Sequence, residues 1–126
     1  MGDLSKHFSS WEFSCPCCGK NEMNLDFLTR LETLRRRYGK AIKVTSGYRC
    51  EKYNKKIGGV SKSSHMFGLA ADIACPTDIN RYKLLKSIFI GDDNNKDILF
   101  NRIGIGSYFI HIDIDGTKNS ERVWGY

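Results

Sequence analysis

Residues 63–73 read SSHMFGLAADI and place a histidine and an aspartate seven positions apart. On one straight strand, His65 and Asp72 would point to opposite faces and lie about 23 Å apart, because side chains alternate and each residue advances the strand by about 3.3 Å. Their side chains can meet only if the backbone folds back between them. Gly68 permits such a turn, and the two alanines after it permit close approach of a neighbouring strand. The segment therefore predicts a tight turn followed by a buried strand.

Two long helices and one short helix are predicted from apolar residues at helical spacing. The first covers residues 25–38, with Asn24 as its N-cap and Gly39 at its end. A short helix is expected over about residues 51–57, and the second long helix is capped by Thr77 or Asp78. The apolar stripes are expected to consist of Leu25, Leu28, Leu31, Leu34 and Tyr38 in the first helix, and of Ile79, Tyr82, Leu85, Ile88 and Phe89 in the second.

Four stretches are typical of β-strands. Residues 41–49 and 69–74 predict one strand each, and residues 101–107 and 108–114 predict two strands joined as a hairpin. Residues 91–97 are expected to form a surface loop. Helices interspersed with mostly hairpin-connected strands indicate the α+β class.

The chain is expected to form one domain, since it has 126 residues, 40% of them hydrophobic. We divide it into a loop-rich N-terminal cap (1–23), a core (24–115) and a C-terminal tail (116–126). A formal net charge of +6 favours an anionic partner, such as nucleic acid, an anionic membrane or a bacterial wall polymer. The sequence has no apolar stretch of signal-peptide or membrane-spanning length, which predicts a soluble monomer made in the cytoplasm, without membrane insertion.

A third residue suited to metal binding is His111, between Ile110 and Ile112 on a predicted core strand. Two histidine nitrogens and one carboxylate oxygen, with water in the fourth position, make an open catalytic zinc site, whereas a closed structural site uses four protein ligands. Each residue alone has a more ordinary interpretation. Buried histidines are often satisfied core residues, and an aspartate at the end of a strand is often a cap or turn former.

The pattern S-x-H-x-x-G-x-A-x-D at residues 63–72 is preceded by VTSGYRCEKYN and followed by GIGSYFIHIDI. Together these segments resemble the zinc D-Ala-D-Ala carboxypeptidase family, which includes bacterial wall carboxypeptidases, dipeptidases and phage endolysins. The resemblance covers roughly residues 7–115. It implies a small single α+β domain in which an antiparallel sheet floors a zinc cleft and helices pack on one side.

The resemblance also implies roles for individual residues. His65, Asp72 and His111 would bind one catalytic Zn²⁺, Arg49 would hold the substrate near the scissile bond, and Ser63 would bond to the substrate or to a ligand. Ser63 could equally be a turn cap. The implied substrates are peptidoglycan stem peptides with D-amino acids, cut at D-Ala-D-Ala or by an endopeptidase at a bond such as L-Ala-D-Glu. Such an enzyme acts on the cell wall, and by analogy a phage could encode it.

One departure from the family concerns the general base. Many relatives have an acid three residues before the last histidine ligand, and others have a histidine two residues before it, where this chain has Tyr108 and Phe109. Asp113 shares a strand face with His111, about 7 Å away between Cα atoms. Asp113 is therefore predicted either to act as the base or to orient His111. Tyr108 is expected to point away from the metal, and Asp115 to lie at the surface.

Five cysteines cannot all pair within one chain, and three of them crowd into CPCCG. Cys15 and Cys18 form a C-x-x-C pair, and a second, structural zinc site would need Cys50 or Cys75 as well. Buried thiols, or one disulfide between the cap and the Cys50 turn, are alternatives that the spacing leaves open. Three aromatic residues are expected in the core or the cleft wall, namely Trp11, Phe13 and Trp124.

Two other classes of function are consistent with the sequence. A non-catalytic zinc module, for wall binding or virion structure, would keep the three ligands and lack the base. A nucleic-acid binder is suggested by the charge and the C-x-x-C pair, but the basic residues lack interleaved stacking aromatics and no recognised binding motif is present. We therefore expect no nucleic-acid partner.

Overall fold

The computed structural model describes residues 2–92 and 95–126, so Asp93 and Asn94 of the predicted surface loop lie outside the described residues. Helices and strands are interspersed along the chain, and the last three elements are strands, which agrees with the predicted α+β class. The described helices are α1 (Leu25–Tyr38), α2 (Glu51–Lys56) and α3 (Asp78–Phe89), and 3₁₀ turns cover Ser10–Phe13 and Ser64–Phe67. The described strands are β1 (Val44–Ser46), β2 (Ala70–Ala74), β3 (Arg102–Ile105), β4 (Phe109–Asp113) and β5 (Arg122–Gly125).

The five strands form one sheet in the order β1-β2-β4-β3-β5. The β1–β2, β2–β4 and β3–β4 pairs are antiparallel, and the last of these is the predicted hairpin. β5 pairs in parallel with β3, so the sheet is antiparallel except at this edge. The segment expected as a C-terminal tail thus contributes an edge strand.

Local signals explain the bounds of α1. The Asn24 side chain accepts a hydrogen bond from the Phe27 amide, and Gly39 ends the helix in the left-handed conformation at φ 77°. Leu28, Leu31 and Leu34 are buried, as predicted. Leu25 is 78% exposed, so its predicted place on the buried stripe was wrong. This first residue of the helix lies beyond the edge of the core.

The predicted apolar face of α3 was also wrong in part. Leu84 and Ile88 are buried, whereas Ile79, Tyr82 and Phe89 are exposed. At about 100° per residue, these three side chains project roughly 140° to 160° away from Leu84. Apolar residues occur on both sides of this helix, so spacing alone did not identify the side that packs against the core.

The sheet has one core face and one polar face. Alternate residues on the central strands, including Ala71, Ile73, Ile110 and Ile112, belong to the same buried cluster as Leu31 of α1 and Ile88 of α3. The residues between them, among them Asp72 and His111, point to the opposite face because side chains alternate along a strand. Because α1 and α3 pack on the core face, the opposite face is available for a site.

The N-terminal cap packs into this core through Phe8 and Phe13, both buried. It is also tied to α1, because Glu32 accepts hydrogen bonds from the Ser5 hydroxyl and from the backbone and ring of His7. Trp11 is 75% exposed, so its predicted place in the core or cleft wall was wrong. Within the described ranges, no helix has the length and apolar character needed to cross a bilayer.

Candidate metal centre

The chain folds back between His65 and Asp72 as predicted. The 3₁₀ turn Ser64–Phe67 ends at Gly68, which has φ 69°, and β2 begins two residues later. The Gly68 carbonyl accepts a hydrogen bond from the Asn24 amide, which holds the turn against the segment before α1. As a result, His65 Nε2 lies 3.4 Å from Asp72 Oδ1.

His111 reaches the same point from the neighbouring strand. It lies directly opposite Asp72 in the β2–β4 register, and its Nδ1 is 3.0 Å from Asp72 Oδ1. The donor atoms of His65, Asp72 and His111 all lie within 4.8 Å of one another. The structure therefore brings together the three residues predicted as metal ligands.

The second ring nitrogen of each histidine, on the side away from Asp72, forms a hydrogen bond with the protein. His65 Nδ1 is 2.8 Å from the Gly47 carbonyl, and His111 Nε2 is 2.7 Å from Asp113 Oδ2. Because these oxygens accept hydrogen bonds, the ring nitrogens facing them donate. The nitrogens on the Asp72 side hydrogen-bond to that carboxylate in the structure, and in a neutral ring they could instead offer a lone pair to a metal ion. This arrangement of a ligating imidazole and a rear acceptor is typical of zinc–histidine sites. The donor set thus fits a zinc ion.

Hydrogen bonding sets the charge of these groups in the structure. Burial opposes ionisation of Asp72, but hydrogen bonds from His111 and His65 outweigh it and hold the pKa of the carboxyl well below its usual range. Burial likewise opposes protonation of His111, but hydrogen bonds to Asp113 and Asp72 outweigh it and raise the pKa of the imidazole. Asp72 is therefore an anion across the physiological pH range, as a carboxylate ligand to a metal must be.

Asp113 lies beneath His111 and is fully buried. One carboxylate oxygen faces His111, and the other forms an ion pair with Arg102 Nε at 2.8 Å and accepts a hydrogen bond from the Asp115 amide. Arg102 is itself held over the Trp124 ring, 5.0 Å from its centroid. Both oxygens of Asp113 thus have protein partners, and one of them faces Nε2 of the candidate ligand His111.

Asp115 is 2% exposed, so the prediction of a surface position was wrong. Its carboxylate accepts hydrogen bonds from the Ser64 hydroxyl and from Thr117, and Lys118 Nζ lies 3.8 Å away. The partner Ser64 is distant in the sequence, which is why strand alternation gave no sign of this burial.

Arg49 and Ser63 line the same cleft. Arg49 Nη2 is 3.6 Å from Asp72 Oδ2, and the guanidinium also donates hydrogen bonds to the side chains of Ser46 and Asn54. The Ser63 hydroxyl accepts a hydrogen bond from the His65 amide and so caps the turn that carries this histidine. The guanidinium is therefore held at the edge of the metal centre.

The cleft has a volume of about 390 Å³. Phe109, Trp124 and Tyr126 line it together with the candidate ligands, and the Trp124 ring lies 5.6 Å from that of His111. Trp124 is thus at the cleft wall, one of its two predicted places. Tyr126 was missed, although Trp124 and Tyr126 are two residues apart and could have been assigned to one strand face. Tyr108 is 74% exposed and is absent from the cleft lining.

A second group of metal-binding side chains lies on the N-terminal cap. The sulfurs of Cys15, Cys18 and Cys50 lie within 4.8 Å of one another, and all three cysteines are free thiols in the structure. Burial opposes ionisation of Cys15, but backbone N–H groups of Cys50, Cys18 and Cys17 outweigh it and lower the pKa of the thiol to about 7. Of the two candidates for a third thiol, the structure thus places Cys50 beside the C-x-x-C pair.

The fold and the site together define a small α+β protein with an open centre of two histidines and one carboxylate. Residues 4–113 match the model of the Peptidase M15 family, and the chain belongs to this family. Membership implies a zinc-dependent metallopeptidase, which agrees with the donor set. A search of curated proteins finds no match to the chain.

Proposed function

We propose that the protein is a zinc peptidase that hydrolyses D-amino-acid-containing stem peptides of peptidoglycan, with the D-Ala-D-Ala bond as the first candidate. The observation that carries this proposal is the convergence of His65 Nε2, Asp72 Oδ1 and His111 Nδ1 at the floor of an open cleft, beside Arg49. Membership of the Peptidase M15 family supports the reaction class. The bond that is cut is our inference.

His65, Asp72 and His111 would hold the zinc ion. When bound, zinc supplies Lewis-acid chemistry, since it lowers the pKa of a water molecule toward neutrality and polarises a carbonyl group. The protein residues keep the donor atoms in place before the metal arrives. Gly47 and Asp113 fix the two imidazole rings, and the cross-strand pairing of Asp72 with His111 fixes the distance between β2 and β4.

Arg49 would bind the terminal carboxylate or a peptide carbonyl of the substrate. A guanidinium offers two parallel donors to such a group, and Ser46 and Asn54 hold the Arg49 side chain in position for it. The carboxylate nearest to Arg49 is that of Asp72, a candidate metal ligand. If Asp72 binds the metal, its negative charge is shared with the ion, and the guanidinium is available to the substrate. Arg49 is therefore the proposed substrate anchor.

Replacement of Arg49 by lysine is expected to lower kcat/KM by about 10- to 100-fold, because a lysine ammonium cannot make the paired hydrogen bonds, each worth about 1.5–3 kcal/mol to a charged group. Steady-state kinetics on a stem peptide would measure this change, and zinc content should stay the same. Arg36→Lys, on the exposed surface of α1, is the matched control. Equal kinetics in Arg49→Lys and the control would contradict the anchoring role.

Asp113 is better placed to position His111 than to move protons at the substrate. It is fully buried, and both of its oxygens face protein donors. The carboxylate would accept the Nε2 proton of His111 and keep Nδ1 directed toward the metal. In this proposal, Asp113 orients the ligand His111. It does not replace the acidic general base that many relatives have three residues before this histidine.

Asp113→Asn is expected to weaken zinc binding by about 10- to 100-fold, the usual effect of altering a residue that supports a ligand, and to regain most activity at saturating zinc. Zinc titration with activity measured at each point tests this, with Asp115→Asn as a control acid on the same strand extension. If Asp113 were the general base, activity would stay at least about 100-fold lower at saturating zinc.

The experiment for the function itself uses zinc-loaded protein and purified stem peptides, with products identified by mass spectrometry. Release of free D-alanine from a peptide ending in D-Ala-D-Ala would support the carboxypeptidase. Fragments cut inside the stem, for example between L-Ala and D-Glu, would instead identify an endopeptidase. No cleavage by protein that holds zinc at the His–Asp–His centre would overturn the peptidase proposal.

Two observations favour a non-catalytic alternative. Both carboxylate oxygens of Asp113 have protein partners, and positions 108 and 109 hold Tyr and Phe in place of an acid or a histidine. A zinc module that binds wall peptides without cutting them would keep the ligands and Arg49 but need no base. Binding of the intact stem peptide without turnover would identify this module.

A further inference from the structure

We propose that Cys15, Cys18 and Cys50 bind a second zinc ion, which ties the N-terminal cap to the turn before α2. This site is separate from the His–Asp–His centre and does not depend on the proposed function. It would be structural, since none of the three cysteines lines the catalytic cleft.

The sulfur positions match a metal site better than a disulfide. Cys15 Sγ and Cys50 Sγ are 3.6 Å apart, and Cys18 Sγ completes a triangle with every edge within 4.8 Å. Zn–S bonds of about 2.3 Å at tetrahedral angles place two sulfurs about 3.8 Å apart. A disulfide would require about 2.05 Å. The triangle therefore surrounds a space of the size that a thiolate-bound zinc ion occupies.

The backbone of CPCCG curves so that its two outer cysteines meet. The Cys15 carbonyl accepts a hydrogen bond from the Gly19 amide, and the Cys15 amide donates to the Lys20 carbonyl, both at 2.8 Å. Gly19 has φ 72°, which closes the turn at a position that other residues rarely adopt. This local structure presents Cys15 and Cys18 as a pair before any metal binds.

Backbone N–H groups point at the sulfurs. The Cys50 amide donates to Cys15 Sγ and the Tyr53 amide donates to Cys50 Sγ, each at 3.4 Å, and the Lys20 amide donates to Cys18. Thiolates, rather than thiols, are the species that bind metals, and amide donors stabilise their negative charge. Each of the three sulfurs thus has an amide donor; at Cys18 this donor is outweighed by burial and by the Cys15 and Cys50 side chains, which raise the pKa of the thiol.

The other two cysteines differ from the three proposed ligands. Cys75 is buried elsewhere and bonds to the Thr77 carbonyl. Cys17 is exposed, and although its thiol contacts that of Cys50, it lies outside the close triangle. Cys18 is also exposed, so water could reach a metal ion held there. Cys17 and Cys18 are therefore adjacent, exposed residues with different expected roles.

The proposed cysteine–zinc site would hold Cys50, the residue that follows Arg49, in place. Cys50 is the N-cap of α2, and the nearby Tyr48 amide donates to the Phe13 carbonyl of the cap at 2.8 Å. A zinc ion bound to both segments would add a strong link beside this hydrogen bond and the one from the Cys50 amide to Cys15 Sγ. Its loss should loosen the Arg49 turn without removing the metal from the other centre.

Metal analysis of the full chain, purified with reductant and zinc, tests the proposal. We expect two zinc ions per chain in the wild type and one each in Cys18→Ser and His65→Ala, with Cys17→Ser retaining both. Loss in Cys17→Ser as well would still support the site and add Cys17 as its fourth ligand. Equal zinc content in Cys18→Ser and the wild type would overturn the proposal, and the exposed position of Cys18 makes misfolding of the variant a poor explanation.

Cobalt substitution gives a readout that is independent of activity. Co²⁺ bound to thiolates should produce a sulfur-to-cobalt charge-transfer band in the wild type and in His65→Ala, and the band should be absent in Cys18→Ser. A band that persists in Cys18→Ser would contradict the assignment. A protein lighter by two hydrogens, with no cobalt band, would instead show a disulfide, and peptide mapping would tell whether it joins Cys15 and Cys50.

Discussion

His65→Ala is expected to remove one zinc ion per chain and to lower peptide hydrolysis by at least about a thousandfold. The metal supplies several kcal/mol of transition-state stabilisation, and each 1.36 kcal/mol is a factor of ten in rate. The two remaining ligands, Asp72 and His111, would still face the cleft but would leave the ion with too few protein donors. Parallel measurements of zinc content and of stem-peptide cleavage would test this result.

The chain offers a matched control, since it has three histidines and His7 lies outside the centre. His7 pairs with Glu32 on α1, with its Nδ1 2.8 Å from the carboxylate. His7→Ala should keep both the zinc content and the rate. If His65→Ala lost no more activity than His7→Ala, the His–Asp–His centre would not be the site of catalysis.

Gly68→Ala is expected to reduce the free energy of unfolding by about 2–5 kcal/mol. A left-handed backbone conformation costs a non-glycine residue about 1–2 kcal/mol, and crowding of a packed site adds about 1–3 kcal/mol. Both apply here, because Gly68 has φ 69° and an added Cβ would clash with the Glu22 carbonyl oxygen. Since backbone must move to relieve this contact, His65 and Asp72 should separate and zinc affinity should fall. Denaturant unfolding and zinc titration would measure the two effects.

Gly39→Ala separates the two causes of this destabilisation. Gly39 has φ 77°, close to that of Gly68, but nothing lies within 4 Å of an added Cβ. Only the conformational cost of about 1–2 kcal/mol is expected, with zinc affinity unchanged. Equal destabilisation of the two variants would mean that the contact with Glu22 is unimportant for the turn.

Local signals in the sequence predicted most of the helices and strands. The bounds of α1 follow from Asn24 and Gly39, whose side-chain cap and left-handed backbone act within one turn of the helix ends. The face of α3 could not be predicted in the same way. Ile79 is as apolar as Leu84, yet it is exposed and Leu84 is buried, because only the packing partner decides which side of the helix is covered.

The candidate metal centre could be predicted because its spacing resembles a known family and because Gly68 allows the chain to fold back. Features that depend on residues distant in the sequence could not be predicted. The buried Asp115 accepts a hydrogen bond from Ser64, and Cys50 comes from another segment to lie beside Cys15 and Cys18. The sequence left the partners of these groups open, since no periodicity connects segments so far apart.

One zinc ion is expected to bind to His65 Nε2, Asp72 Oδ1 and His111 Nδ1. Diffraction from zinc-loaded crystals at the zinc absorption edge would test this, because the anomalous signal locates the metal independently of the protein atoms. We predict a peak within bonding distance of these three atoms, with His111 Nε2 still hydrogen-bonded to Asp113. A peak on the Asp113 side of His111, or none in the cleft at saturating zinc, would contradict this account of the site.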